Sequence, residues 1–212
     1  MDGNGRWAKE RGLERLRGHY EGVESVRAIM EESVALGVEY VSLFAFSEEN
    51  WGRPKEEVEG LMTLMMKSMI KEVNTFLDNG IHFTVLGNRE RLSKELNSAI
   101  DELDSLTSKG TRMTMVIFLS YSGQWDIRQA ADRMAADGSS DIEKYLVTAG
   151  IPDPDLLIRT SGEQRISNFM LWQLAYTELV FTPVLWPDFR KEEYLAALSE
   201  YASRDRRFGK VK

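Results

Sequence analysis

Apolar and polar positions recur along this chain in two rhythms, and the changes of rhythm mark its elements. Over residues 21–36, Val23, Val26, Ile29, Met30 and Val34 recur three and four apart. That spacing predicts a helix with one buried face, and Gly37 ends it. The run Tyr-Val-Ser-Leu-Phe-Ala-Phe (40–46) is β-branched and aromatic and reads as a central strand. Pro54 with Glu56 and Glu57 then opens a helix over about 56–77. A strand is predicted at 82–86, with His82 structural, and a polar amphipathic helix at 91–106. Residues 113–119 form a continuous apolar strand, followed by a helix from about Trp125. Residues 138–155 read as a loop around a short helix, 156–158 and 179–181 as strands, and 191–203 as a last helix before a basic tail. Strands alternating with helices predict an α/β fold: a single domain with a mostly parallel central sheet and helices on both faces. At 212 residues the chain is long enough for one domain with a sizeable core, and it shows no repeat or linker.

The helix at 56–77 breaks the simple pattern. Its apolar stripe is wider than one packed face needs, and it holds Met62, Met65, Met66 and Met69, four of the chain's 10 methionines. Methionine fills irregular space, which suits a wall for a variable apolar ligand, although plain core is the commoner meaning of such a stripe.

Polar groups gather just beyond the strand ends, where open α/β sheets bind ligands. After Leu156-Leu157-Ile158 come Arg159, Gly162, Arg165, Ile166 and Ser167. Two forked guanidinium groups and a hydroxyl are the chemistry of an oxyanion site. Phe169, Met170, Leu171 and Trp172 follow, and would partly desolvate those charges. After the 40–46 strand come Ser47, Glu48, Glu49, Asn50, Trp51 and Arg53, which offer a hydroxyl, an amide, a cation and a flat apolar wall. The opening Met1-Asp2-Gly3-Asn4-Gly5-Arg6-Trp7 can turn backbone N–H groups onto an anion. Asp2 beside such a nest makes sense if magnesium bridges it to phosphate. His19 could donate to a phosphate or satisfy a turn.

Charge and composition narrow the classes. A net charge of −7 argues against nucleic acid as a partner, which calls for a basic stripe. The absence of cysteine excludes thiolate chemistry and fits a reducing cytoplasm. No apolar run approaches the ~20 residues of a spanning helix, so any membrane contact is peripheral.

The motifs resemble those of the cis-prenyltransferases, the bacterial undecaprenyl diphosphate synthases in particular. The matching blocks are Met-Asp-Gly-Asn-Gly-Arg-Trp-Ala (1–8), Gly-His (18–19), Phe-Ser-x-Glu-Asn-Trp-x-Arg-Pro (46–54) and Ile-Arg-Thr-x-Gly-Glu-x-Arg-Ile-Ser-Asn-Phe (158–169). Trp-Gln-x-Ala-Tyr-x-Glu (172–178), Trp-Pro-Asp-Phe (186–189) and Arg-Arg-Phe-Gly (206–209) complete the series, in family order across the chain. The resemblance implies addition of isopentenyl diphosphate units, in cis geometry, to farnesyl diphosphate, with the product chain in an apolar tunnel and serving as a cell-wall lipid carrier. It implies that Asp2 holds Mg2+ and assists departure of the allylic diphosphate, with Glu178 as second metal ligand. Gly3, Asn4, Gly5, Arg6, Arg15, His19 and Arg53 would grip that diphosphate, with Trp7 in the same block. Asn50 would organise proton loss from isopentenyl diphosphate, with Ser47, Glu48, Glu49 and Trp51 nearby. Arg159, Arg165, Ile166 and Ser167 would bind isopentenyl diphosphate.

The resemblance also implies a homodimer in which Arg207-Phe208-Gly209 reaches the neighbouring site. The protein is expected in the cytoplasm, with peripheral contact at the inner face of the membrane. Three departures stand out. Family members carry an apolar strand before the Met-Asp-Gly-Asn block, and without it Asp2 is expected to hang on a free end. The segment around 137–150 is short, and Gln164 and Gln124 replace commoner residues. Two rival functions are a non-catalytic regulatory partner of the same family and an unrelated phosphate-binding α/β protein such as a phosphoesterase. Neither explains all of these features. The regulatory partner would not keep Asp2 and the loop residues, and the phosphoesterase has no use for the wide apolar helix.

Overall fold

The computed structural model describes residues 1–207. Its elements follow the predicted alternation: α1 (Asn4–Glu10), α2 (Arg15–Leu36), β1 (Tyr40–Ser47), α3 (Lys55–Asp78), β2 (Ile81–Leu86), α4 (Lys94–Thr107), β3 (Met113–Tyr121), α5 (Gly123–Ala136), β4 (Leu156–Arg159), β5 (Glu178–Phe181) and α6 (Lys191–Ala202). Short 3-10 turns sit at Glu48–Gly52, Ile142–Lys144 and Trp186–Asp188. The α2 helix begins earlier than its apolar periodicity, because Arg15, Gly18 and His19 face α1 and the site rather than the core.

All described strand pairs are parallel, but they form two ladders rather than one sheet. The first has the order β1-β3-β2 and the second pairs β4 with β5. β3 lies in the middle, and Val116, Phe118 and Tyr121 on it have no solvent exposure. That burial on both faces explains the unbroken apolar run in its sequence. β1 and β4 each keep one edge outside any described ladder, and both border one large cavity. His82 is structural as expected: its ring Nε2 lies 3.0 Å from Asp104 Oδ1.

The chain's first turn is held by close helix packing. A Cβ on Gly18 would lie 1.9 Å from the Asn4 carbonyl oxygen, so α1 sits on α2 at a distance that only glycine permits. This contact places the opening motif over the ends of β1 and β4.

Candidate active site

Asp2 is anchored from several sides, contrary to the expectation of a loose end. Its N–H donates to Thr160 Oγ1 at 2.9 Å, and that hydroxyl donates back to the Asp2 carbonyl at 2.8 Å. Trp186 N–H also donates to this carbonyl, at 2.9 Å. The carboxylate accepts from Gly3 N–H at 2.8 Å and from Arg159 at 3.0 Å. Partial burial pushes the Asp2 carboxyl up, but the Arg159 and Gly3 hydrogen bonds outweigh it, so its pKa lies below the usual value. The group is therefore ionised at neutral pH and still 40% exposed.

Arg159, at the end of β4, is the hub. It donates to Asp2, to Ser167 Oγ at 2.7 Å and to the Arg165 carbonyl, with only 14% of its side chain exposed. Arg6 donates to Ser161 Oγ, and Arg165 pairs with Glu163 at 2.6 Å. Across the mouth, Arg15 and Arg53 share Glu57 at 3.0 and 3.1 Å. Five arginines thus face four carboxylates, Asp2, Glu49, Glu57 and Glu163, which leaves one positive charge in excess for an anion. The most exposed of these pairs, Arg165 with Glu163, is worth ~1 kcal/mol or less, so a diphosphate can replace that carboxylate at little cost.

His19 lies between Arg15 and Arg53. Burial and the two guanidinium groups lower its pKa to about 4, against the weaker opposing pull of Glu57. It is a neutral imidazole whose Nε2 is buried with no protein partner, as is Asn4 Oδ1. Orphaned polar atoms at a cation-rich mouth are what a bound polar ligand would satisfy.

The mouth opens on a cavity of about 1360 Å³. Part of it is the slot between the open edges of β1 and β4. The rest is walled by α2 and α3, with Val23, Val26, Leu61, Met62, Met65 and Met69 on its surface. The methionine stripe is therefore a cavity wall, apart from Met66, which packs on the core without bordering the cavity.

The structure brings most of the predicted site together. Asp2, Gly3, Asn4, Gly5, Arg6, Arg15, His19, Ser47, Glu49, Asn50, Arg53, Arg159, Arg165, Ile166 and Ser167 all border this cavity. Four predicted residues do not. Trp7 faces away, its indole N–H on Asp188 at 2.7 Å and Arg11 over its ring at 4.2 Å. Trp51 packs edge-on against Phe46 and donates to Ser120 Oγ at 2.9 Å, and Ser120 in turn donates to Glu48 at 2.5 Å. Arg91 closes that cluster on Glu48 and Trp51, so both serve the Glu48–Gly52 turn. Glu178 also lies apart from Asp2 within this chain. β5 runs parallel to β4 with Glu178 opposite Leu156, so it starts about 10 Å below the Arg159 end of the ladder. Its carboxylate is bound by Arg204 at 2.9 Å, and it does not join Asp2. Phe208 and Gly209 of the expected tail lie outside the described residues.

Three residues that the sequence did not single out shape the site: Thr160, Ser161 and Glu57. Thr160 and Ser161 are small hydroxyls directly after a strand-end arginine, which is the one local signal they carry. Asn50 Oδ1 accepts from Ser47 N–H at 3.1 Å, which commits its oxygen to the turn and leaves its amide N–H groups to donate.

Comparison with known proteins agrees with this geometry. The family model described as "Putative undecaprenyl diphosphate synthase" matches residues 1–209. An isoprenyl transferase of Chlorobaculum tepidum is 51% identical over all of this chain and 84% of its own. The ditrans,polycis-undecaprenyl-diphosphate synthase ((2E,6E)-farnesyl-diphosphate specific) of Pseudomonas aeruginosa is 47% identical over 100% of this chain and 88% of its own. Among solved structures, lavandulyl diphosphate synthase of Lavandula x intermedia, in complex with dimethylallyl diphosphate, superposes with a TM-score of 0.94 at 36% identity, covering 99% of this chain and 95% of that one. With most of its length matched and its arginine mouth in place, the chain belongs to the undecaprenyl diphosphate synthase family of prenyltransferases.

Proposed function

We propose that this chain elongates farnesyl diphosphate by repeated cis addition of isopentenyl diphosphate, giving a long polyprenyl diphosphate of the undecaprenyl class and inorganic diphosphate. The observation that carries this reading is the junction of a five-arginine mouth with an apolar wall formed by α2 and α3. The Pseudomonas relative, whose name specifies farnesyl diphosphate and an undecaprenyl product, supports the choice of primer and product.

In each cycle the allylic C1–O bond breaks, and its electron pair leaves with the diphosphate. C1 bonds to the terminal methylene of isopentenyl diphosphate, and a proton leaves C2 of that unit as the new double bond forms. Arg6, Arg15, Arg53 and the neutral His19 hold the departing diphosphate by charge-assisted and neutral hydrogen bonds. Arg159, Arg165 and Ser167 hold the diphosphate of the incoming unit. Because Arg159 contacts both Asp2 and Ser167, it sets the spacing of the two anions. An amide is no base, so Asn50 donates to and orients a phosphate oxygen or water that takes the proton.

The residues present fit magnesium in one mode. Among the described residues no group of three or more His, Cys, Asp or Glu side chains forms a cage. A single ionised, half-exposed carboxylate, Asp2, suits magnesium completed by diphosphate oxygens and water. So held, the metal would neutralise charge on the departing diphosphate. We infer a homodimer, and peripheral contact with a membrane at product release. No helix among the described residues is long and apolar enough to cross a membrane.

Incubation with farnesyl and isopentenyl diphosphates plus magnesium, followed by chain-length analysis of the extract, tests the reading. Polyprenyl products that lengthen with time are expected, and Asp2→Ala should lower turnover roughly 10²–10³-fold. Failure to extend farnesyl diphosphate would refute it. A condensation product formed from dimethylallyl diphosphate, the ligand bound in the lavender structure, and not from farnesyl diphosphate would point instead to a different primer.

A further inference from the structure

The turn after β1, Glu48–Gly52, is a 3-10 helix, in which residues three apart stand in one row. Ser47, Asn50 and Arg53 form the row that borders the cavity. Glu49 heads a second row and accepts from the Asn168 side-chain amide at 2.7 Å. Behind it, a Cβ on Gly52 would have no neighbour within 4 Å. Glu48 and Trp51 form the third row, and neither borders the cavity.

That third row is gripped by a closed ring of contacts. The Trp51 indole N–H donates to Ser120 Oγ at 2.9 Å, and Ser120 donates to Glu48 Oε1 at 2.5 Å. Arg91 donates to Glu48 Oε2 at 3.0 Å, and its guanidinium lies 4.7 Å from the centre of the Trp51 ring. The ends of β1, β3 and β2 meet here, because Glu48 and Trp51 follow β1, Ser120 lies in β3, and Arg91 follows β2. Ser120 is fully buried with a φ of 53°, a backbone state that favours glycine and persists where surrounding structure fixes it. Its carbonyl accepts from Asn88 N–H at 2.9 Å, which binds the turn after β2 to the end of β3.

Glu48, Trp51, Arg91 and Ser120 all lie off the cavity, so none of them holds a diphosphate. Nor is the ion pair a large source of stability, since Arg91 is 45% exposed and such pairs add little. What the ring does fix is rotation. Turning a helix of three residues per revolution by one position, about 120°, exchanges its rows. With Glu48 and Trp51 gripped, Ser47, Asn50 and Arg53 have to face the cavity. Asn50 Oδ1 is committed to Ser47 N–H, so the direction of its amide N–H groups follows the rotation of the turn.

We propose that Glu48, Ser120 and Arg91 are positioning residues that set the rotation of the 48–52 turn and thereby aim the Asn50 amide into the cavity. This rests on the reading that Asn50 orients the group that takes the proton. The test combines turnover with a measurement that needs none. In steady-state kinetics with farnesyl and isopentenyl diphosphates, Arg91→Met and Glu48→Gln are each expected to lower kcat roughly 10–100-fold. Both KM values should stay within about three-fold, because Arg53 keeps its own anchor on Glu57. In an Asn50→Ala background the same two changes should lower kcat by less than two-fold further, since residues that act through one group are not additive. Amide hydrogen exchange of Ser47, read by NMR in the protein without substrates, should become at least ten-fold faster in Arg91→Met.

Losses that add in full to that of Asn50→Ala overturn the proposal, as does wild-type turnover in Asn50→Ala. Ser47 exchange as slow in folded Arg91→Met and Glu48→Gln as in wild type also overturns it. Faster Ser47 exchange in a protein that condenses neither substrate would refute the elongation reading and leave the aiming of Asn50 standing.

Discussion

Thr160→Val is the most informative single change at this site. Thr160 is 1% exposed, and its hydroxyl is used twice, accepting from the Asp2 N–H and donating to the Asp2 carbonyl. Valine keeps the shape and removes both bonds. The carbonyl retains Trp186 N–H, but the Asp2 N–H has no other described acceptor. Leaving one buried donor unpaired costs ~1–3 kcal/mol. For a domain of this size each kcal/mol lowers Tm by about 2–4 °C, so a fall of roughly 2–12 °C is expected. The functional effect should be larger than the fold effect. With its N–H released, Asp2 would keep only the Trp186 N–H on its carbonyl and the Gly3 and Arg159 hydrogen bonds on its carboxylate, and a misplacement of about 1 Å can cost ~10²-fold in rate. Steady-state kinetics with farnesyl and isopentenyl diphosphates should show kcat falling roughly 10–100-fold with both KM values within about three-fold. Thr160→Ser, which keeps the hydroxyl, should recover most of the rate. A Thr160→Val protein that loses the expected Tm but keeps kcat within two-fold would show that Asp2 does not need this anchor.

Three further outcomes follow from the same geometry. Arg165→Ala should weaken isopentenyl diphosphate more than farnesyl diphosphate, Arg6→Ala the reverse, and Arg159→Ala both; at ~1.5–3 kcal/mol per charged hydrogen bond the losses are about 10–150-fold by calorimetry. Equal losses for Arg6→Ala and Arg165→Ala would mean that the two anion sites are one. Met62→Trp and Met65→Trp should shorten the product before slowing the first condensation, whereas Met66→Trp, off the cavity, should not; identical product lengths in all three would return this stripe to plain core. His19, with a folded pKa of about 4 against 6.5 unfolded, binds fewer protons in the native state between those values. Stability should therefore rise with pH from about 4 to about 6.5, by at most ~3 kcal/mol, and be fully present above that. His19→Gln should flatten that part of the urea-unfolding profile, and an unchanged slope would remove His19 as its source.

The sequence made the element order and the cation inventory legible, because both are written in local periodicity and in side chains just past strand ends. What it left hidden depends on who meets whom. Glu57 reads as a helix-start charge, and only the packing of α2 on α3 makes it the common partner of Arg15 and Arg53. Trp51 and Glu48 stand beside Asn50 in sequence, yet the tight 48–52 turn rotates them towards Ser120 and Arg91. Glu178 illustrates the same limit at greater distance. It follows the arginine motif closely in the chain, but the loop after Arg159 returns to the start of a parallel strand, so sequence proximity becomes separation along the ladder. The division into two ladders was equally invisible, because strand partners are not encoded by alternation within a strand.

The loop that makes this return is itself strained, and the strain is concentrated where ligand contacts are expected. Ser161, Ser167, Asn168 and Met170 all have positive φ, at 77°, 50°, 62° and 44°. Non-glycine residues in this region cost of order 1 kcal/mol or more each and persist where neighbouring structure fixes them. Asn168 shows how they are fixed. Its side-chain amide donates to Glu49 at 2.7 Å, its side-chain oxygen accepts from Gln124 N–H at 2.9 Å, and its carbonyl accepts from Gly123 N–H at 2.7 Å. One residue thereby ties the loop after β4 both to the turn after β1 and to the start of α5. Phe169 and Met170, buried just beyond it, anchor the far side against Val116, Phe118 and Tyr121 of β3. The loop is held at both ends of its strained stretch, and that stretch presents Ser167 to Arg159 at 2.7 Å. An unstrained loop could cross the same gap, but it would not fix this hydroxyl against this guanidinium.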